Sequence, residues 1–164
     1  MSRISELRLK QTPACYTVSV RKTINFMEGY AAFFGEALSR IDAHLGACGA
    51  LTSSPAMACF HNMDLEHLDV EVGYHLAQKV PCEGGVTCQS CPSRKIVTAI
   101  DMGLYEQQDA TLMDLFGFIE ANHLEMQGSI CYYYVNEPDR PESEYLTQMV
   151  IPVKQPPITK EETL

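Results

Sequence analysis

The chain has 164 residues, 46% of them hydrophobic and 20% charged, which is enough for one domain or for two small repeats sharing a core. Its formal net charge is −9, with Lys and Arg scattered rather than striped. That argues against nucleic acid as a partner, because a phosphate-binding surface needs a basic patch. No run of about 18 apolar residues offers a membrane span, and the opening MSRISELRLK lacks the apolar centre of a signal peptide, so a cytoplasmic location is expected.

The first predicted element is a strand, ACYTVSV (14–20), partly alternating and rich in β-branched residues. Asn25 then opens a helix, with Glu28 three residues on in a capping-box arrangement. Phe26, Tyr30, Phe33, Ala37, Ile41 and Leu45 recur at three- and four-residue steps and mark its apolar face, and Gly46 and Gly49 stop it. AMACFH (56–61) and LDVEVGYHL (68–76) read as two more strands. QKVPCEGGVTCQSCPS (78–93) reads as a loop by its Pro, Gly and Ser content. The pattern repeats in KIVTAID (95–101), a helix over about 106–123 carrying Leu112, Leu115, Phe116 and Ile119 on one face, ICYYYVN (130–136), the turn EPDRPES, and YLTQMVIPV (145–153). The tail QPPITKEETL (155–164) is polar, proline-rich and expected to be frayed.

The chain therefore reads βαββ twice, over about 6–80 and 94–154, within a single domain spanning 1–154. ACFHN (58–62) lines up with YYYVN (132–136), and VEVGYHL (70–76) with TQMVIPV (147–153). The expected architecture is α+β, a pseudo-two-fold antiparallel sheet with both helices on one face and a ligand groove on the other. Side chains alternate across a strand. Met149, Ile151 and Val153 then belong under the helices, and Gln148, Val150 and Pro152 face the groove. Val70, Val72 and Tyr74 are the buried set of their strand, and Asp69, Glu71, Gly73 and His75 face the groove or its rim. Cys131, Tyr133 and Val135 are expected under the helices, which sends Tyr132 and Tyr134, with Phe60 as counterpart, into the groove. The expected ligand set is thus Phe60, Glu71, Tyr132, Tyr134 and Gln148, an aromatic box with one acid and one amide. Aromatic walls with a carboxylate suit flat, hydrophobic and often cationic ligands.

Seven cysteines are an odd number, and in a reducing cytoplasm they are expected as thiols or metal ligands rather than a disulfide framework. Cys15, Cys48, Cys59 and Cys131 lie in or beside apolar segments and read as small buried hydrophobes. Cys82, Cys88 and Cys91 share one glycine-bearing loop, and Cys88-x-x-Cys91 has metal-ligand or redox-pair spacing. A closed zinc site needs a fourth ligand, for which His75 or another chain would serve. Metal, reversible disulfide and plain loop thiols all stay open. No cofactor is expected. None of the five histidines is spaced with a cysteine or serine to suggest a nucleophile.

MGLYEQ (102–107), LFGFIEANHLEMQGSICYYYVNEP (115–138), TQMVIPV and LDVEVGYHL together resemble, in order and spacing, the GyrI-like small-molecule-binding domains, over about residues 6–154. That family is also described as the effector-binding domain of AraC-type and MerR-type multidrug regulators. The resemblance implies the duplicated βαββ fold and a binder of hydrophobic aromatic compounds, for sensing or sequestration. It also implies two alternatives, a hydrolase of cyclopropane-bearing toxins and a gyrase-inhibitory protein. The strand at residue 14 leaves no room for a helix-turn-helix ahead of it, so a stand-alone form is expected, and a homodimer is allowed. Where the family usually has Glu after the Thr of its last strand, this chain has Gln148. An amide carries no charge and is no general base. Glu71 would then supply the charge, or the ligand is neutral and Gln148 orients it. Tyr105, in the Gly-x-Tyr corner, is a pocket residue by resemblance. In an enzyme, Glu71 and Tyr105 would be the acid–base pair.

Overall fold

The computed structural model describes residues 2–136 and 139–156. The order of elements is β1 (Arg8–Gln11), β2 (Cys15–Ile24), α1 (Phe26–Cys48), β3 (Met57–Phe60), β4 (Leu68–Leu76), β5 (Thr87–Cys91), β6 (Lys95–Met102), α2 (Asp109–Ala121), β7 (Glu125–Met126), β8 (Ile130–Tyr134) and β9 (Leu146–Lys154). All pairings are antiparallel, and the sheet runs β1-β6-β9-β8-β3-β4-β2-β5, with β7 added beside β9. The order is palindromic about the β8–β3 seam: β6-β9-β8 mirrors β2-β4-β3, and β1 and β5 cap the two outer edges. This is the expected α+β fold. The tail beyond residue 156 lies outside the described residues, so its expected fraying finds no answer here.

Both helices form for reasons local to the sequence. The Asn25 side chain accepts a hydrogen bond from the Glu28 backbone N–H at 3.1 Å, satisfying an orphan donor of the first turn of α1. Gly49 ends that helix at φ 65°, a left-handed cap that disfavours side-chain-bearing residues. Phe33, Ala37, Ile41 and Leu45 bury one stripe of α1 against Val18, Val70 and Val72. Leu112, Leu115 and Ile119 of α2 bury theirs against Val97, Met149 and Ile151. Ahead of α2, Tyr105–Gln107 form a 3-10 turn, so the regular helix starts later than the hydrophobic spacing suggests.

The register assigns the faces, because directly opposed residues point the same way. One row, Val20–Val72–Ala58–Tyr132–Met149–Ala99, is apolar apart from the Tyr132 hydroxyl and lies under the helices. The row Glu71–Cys59–Cys131–Val150–Thr98 points away from them, as does Ser19–Gly73–Met57–Tyr133–Gln148–Ile100. Gly73 is required in that second row. A Cβ there would lie 2.0 Å from the Val18 carbonyl oxygen, so β2 crosses β4 closely only because the side chain is missing.

Three expectations are corrected. QKVPCEGGVTCQSCPS is not all loop: its end forms β5 by pairing with β2, Thr17 opposite Gln89 and Cys15 opposite Cys91. Tertiary pairing overrides its turn-like composition. Tyr132, Tyr134 and Phe60 lie on the helix side, and Cys131 and Tyr133 on the other. The expected burial of Cys131 and Tyr133 is met, but on the helix-free face, where they pack with Met57, Cys59, Ile96 and Val150. Cys59 and Cys131, expected as separate thiols, are directly opposed across the seam and joined in a disulfide, with Cα atoms 4.0 Å apart.

Candidate functional site

The expected ligand residues separate onto two faces of the sheet. On the helix side, Phe60, Tyr132 and Tyr134 meet Phe26, Tyr30 and Phe34 of α1 in a ring cluster with centroids 5.0–6.1 Å apart. The Tyr30 and Tyr134 hydroxyls share a 2.6 Å hydrogen bond. Burial pushes the Tyr30 hydroxyl up to about 12 and that of Tyr134 well above its ordinary value. Tyr105 closes the cluster, edge-on to Tyr134 at 5.3 Å and stacked on Tyr145 at 5.1 Å, with 45% of its surface exposed.

Glu71 and Gln148 share the helix-free face but not one pocket. Glu71 accepts from the Ser19 hydroxyl and pairs with His61 Nε2 at 2.8 Å, so its own neighbours hold the carboxylate. Gln148 instead lines a cavity of about 330 Å³ with Tyr133, His75, Cys15, Cys91 and Arg94, closed by the loop segments Thr12–Pro13 and Ser53–Pro55 and by Ile96 and Val150. Glu71 is not among the lining residues.

Strand geometry sets this constellation. Tyr133 and Gln148 are opposed across β8 and β9, and His75 stands opposite Thr17 across β4 and β2. His75 Nε2 is 2.6 Å from the Tyr133 hydroxyl, Nδ1 is 3.1 Å from Thr17 Oγ1, and Cys15 Sγ lies 3.6 Å from that same Nδ1. The His75 backbone N–H donates to Ser54 Oγ at 2.9 Å, tying the loop to the strand. Burial, helped by the Arg94 charge, holds the His75 imidazole below its usual range, so at neutral pH it offers one donor and one acceptor. Burial raises the Tyr133 hydroxyl to about 12. Burial and the neighbouring Cys91 raise the Cys15 thiol, keeping it protonated and a weak nucleophile. Gln148 Nε2 donates to Thr98 Oγ1 at 3.1 Å, which fixes the amide. The cavity is an apolar recess with a few fixed, uncharged polar groups and one guanidinium.

The cysteine loop does not converge on a metal. Cys88 is buried on the helix side, while Cys91, three residues on, lines the cavity of the other face. The Cys82 sulfur accepts from the Cys88 backbone N–H at 3.2 Å. Among the described residues, no group of three or more His, Cys, Asp or Glu side chains is placed to hold a metal ion. No described helix is long and apolar enough to cross a membrane. Sequence reasoning placed Gln148 and His75 on the face that holds this cavity but did not bring Tyr133 and Arg94 to it. The signal for Tyr133 was its opposition to Gln148, which only the register reveals.

No match was found among curated proteins. Among solved structures, the chain is similar to the EcmrR C-terminal domain, at 20% identity and TM-score 0.80, covering 92% of this chain and 98% of that one. It spans 57% of the EcmrR chain seen in complex with DNA, at TM-score 0.78. It is also similar to a hydrolase from Listeria innocua, at 13% identity and TM-score 0.67, covering 90% and 92% of the two chains. SAV2435 bound to tetraphenylphosphonium is a further likeness, at 12% identity, TM-score 0.58 and coverage of 92% and 94%. These identities speak to the fold alone. The family model of the GyrI-like small molecule binding domain matches residues 5–154, nearly the whole chain, and the protein belongs to that family.

Proposed function

We propose that this chain binds a hydrophobic, ring-bearing small molecule in the cavity on the helix-free face. The observation that carries this reading is the convergence of Tyr133, His75 and Gln148 on a recess of about 330 Å³ floored by Ile96 and Val150. A few fixed polar groups in an apolar concavity of that size are the usual form of a small-ligand site. The volume is at the low end of the range for such sites and suits a ligand of one or two rings. SAV2435 holds tetraphenylphosphonium, a ring-bearing cation, on a related fold, which lends support to the rings of a ligand here and not to its charge.

Binding without turnover is favoured by the state of the groups present. Cys15 is held as a thiol, the Tyr133 hydroxyl is held protonated, and both His75 nitrogens already have partners. Glu71, the one acid expected in an enzymatic role, is engaged by Ser19 and His61 outside the cavity.

The test is a thermal-shift screen of ring-bearing compounds, followed by mapping of the hits by NMR. A ligand that binds only the folded state raises the melting temperature by mass action. The expected perturbations centre on Tyr133, His75 and Gln148, and Tyr133→Ala and His75→Ala weaken the response. Perturbations centred instead on Tyr105 and Tyr145, with Tyr133→Ala neutral, would move the site to the helix side and overturn the assignment.

A further inference from the structure

We infer that the ligand of this cavity carries an anionic group, such as a carboxylate, seated on Arg94; this rests on the cavity being the binding site. The chain is acidic, with 21 Asp and Glu against 12 Lys and Arg. Arginines in such a chain find acids easily. Arg3, Arg8, Arg21, Arg40 and Arg140 each pair with a carboxylate within 2.7–3.6 Å. Arg94 is the remaining one of the six arginines. Among the described residues its guanidinium forms no ion pair and no hydrogen bond, although it is half-buried and lines the cavity.

The backbone of Arg94 is clamped, while among the described residues its side chain is left unmatched. The Thr12 N–H donates to the Arg94 carbonyl at 2.8 Å, and the Arg94 N–H donates back to Thr12 Oγ1 at 3.3 Å. The main chain that carries the guanidinium is therefore held at the cavity wall. Among the described residues, no Asp or Glu lines that cavity. A cation entering it would meet the guanidinium with no counter-charge, which is costly in a partly desolvated recess. An anion would receive up to two parallel N–H···O bonds from the planar fork. The apolar body of the ligand would lie over Ile96 and Val150, and the Tyr133 and Gln148 side chains flank it as neutral hydrogen-bonding groups. The field of the whole protein repels anions, so recognition is by contact at short range rather than by steering.

The experiment uses the full chain and three probes of matched shape: 1-naphthoate, 1-naphthamide and 1-naphthylmethylammonium. Affinities are measured by calorimetry, and the Arg94 Nε–Hε resonance is followed by NMR. The expected result is that the carboxylate binds at least tenfold tighter than the amide and moves the Arg94 resonance, and that the ammonium binds weakest. Arg94→Gln should erase the carboxylate–amide difference, and Arg94→Lys should retain part of it. Equal binding of carboxylate and amide, tightest binding by the ammonium, or a carboxylate preference that survives Arg94→Gln would each overturn the anion assignment and leave the small-molecule site standing. Failure of all three probes to bind the unmodified chain would overturn both.

Discussion

The disulfide across the seam has a calculable effect on stability. Cys59 and Cys131 are 72 residues apart in sequence, and β3–β8 is the strand pairing through which the two βαββ halves join. In the chain-entropy account, closing a loop of that length removes freedom from the unfolded chain worth about 4 kcal/mol at 25 °C. For a domain of this size each kcal/mol moves the melting temperature by about 2–4 °C, so losing the crosslink should cost about 10–15 °C. Two perturbations separate the crosslink from the packing. Reducing the unmodified protein in denaturant and refolding it with reductant present removes only the bond. Cys59→Ala with Cys131→Ala also removes two sulfurs from sites that are 6% and 1% exposed, so it should cost somewhat more. Melting is followed by circular dichroism with and without reductant, with Cys15→Ala/Cys91→Ala as the control whose reductant response should equal that of the unmodified chain. Thiol titration in denaturant without prior reduction should count the five free cysteines and not seven. Equal melting temperatures with and without reductant, together with seven titratable thiols, would refute the reasoning. They would return the pair to the thiols that a reducing compartment favours.

Four further outcomes follow from particular contacts. Gly73→Ala puts a Cβ 2.0 Å from the Val18 carbonyl and should destabilise the chain by at least about 2 kcal/mol in urea titration, because backbone has to move. Tyr134→Phe leaves the Tyr30 hydroxyl buried without its partner and should cost about 1–3 kcal/mol, and the double Tyr30→Phe/Tyr134→Phe variant should recover part of it. Gln148→Glu places a carboxylate in the cavity that Arg94 lines, so calorimetry should show lower affinity for naphthoate and higher affinity for the ammonium probe. His75 is depressed by burial and Arg94, so its contribution to stability is full above its unfolded pKa near 6.5 and is lost as pH falls through the lower folded value. Urea midpoints should therefore decline below about pH 6.5, by up to about 1.4 kcal/mol per pH unit from this group, and His75→Gln should flatten that decline.

Much of this was legible in the chain because local rules and the fold agree. The Asn25 cap, the Phe33–Leu45 stripe and the alternation of 147–153 each have one physical solution, and the structure adopts it. The β8 segment had two. Every residue of Ile130–Tyr134 is apolar or aromatic, and in the structure both sides of that strand are covered, one by the helix-side cluster and one by the packed helix-free face. Alternation cannot choose a face when both faces are dry, and a one-residue slip sends every side chain to the wrong side. That single ambiguity put Tyr132 and Tyr134 in the expected site and left Tyr133 out. The disulfide was hidden for a related reason, since nothing local links two cysteines on strands 72 residues apart.

The charges mark a cavity that apolar alternation could not. A face made of Met57, Cys59, Cys131, Val150 and Ile96 reads as core and would be featureless if it were only core. At one end of it stand a histidine whose ring is hydrogen-bonded on both sides, an amide pinned by a threonine, and an arginine kept from every acid that the other five arginines found. Stability alone does not call for that arrangement. A guanidinium unmatched among the described residues, beside a neutral imidazole, adds little to the fold, and a Lys or Gln in solvent would serve as well. It does provide a half-buried positive end in an otherwise apolar recess, which is the feature that an amphiphilic anion requires.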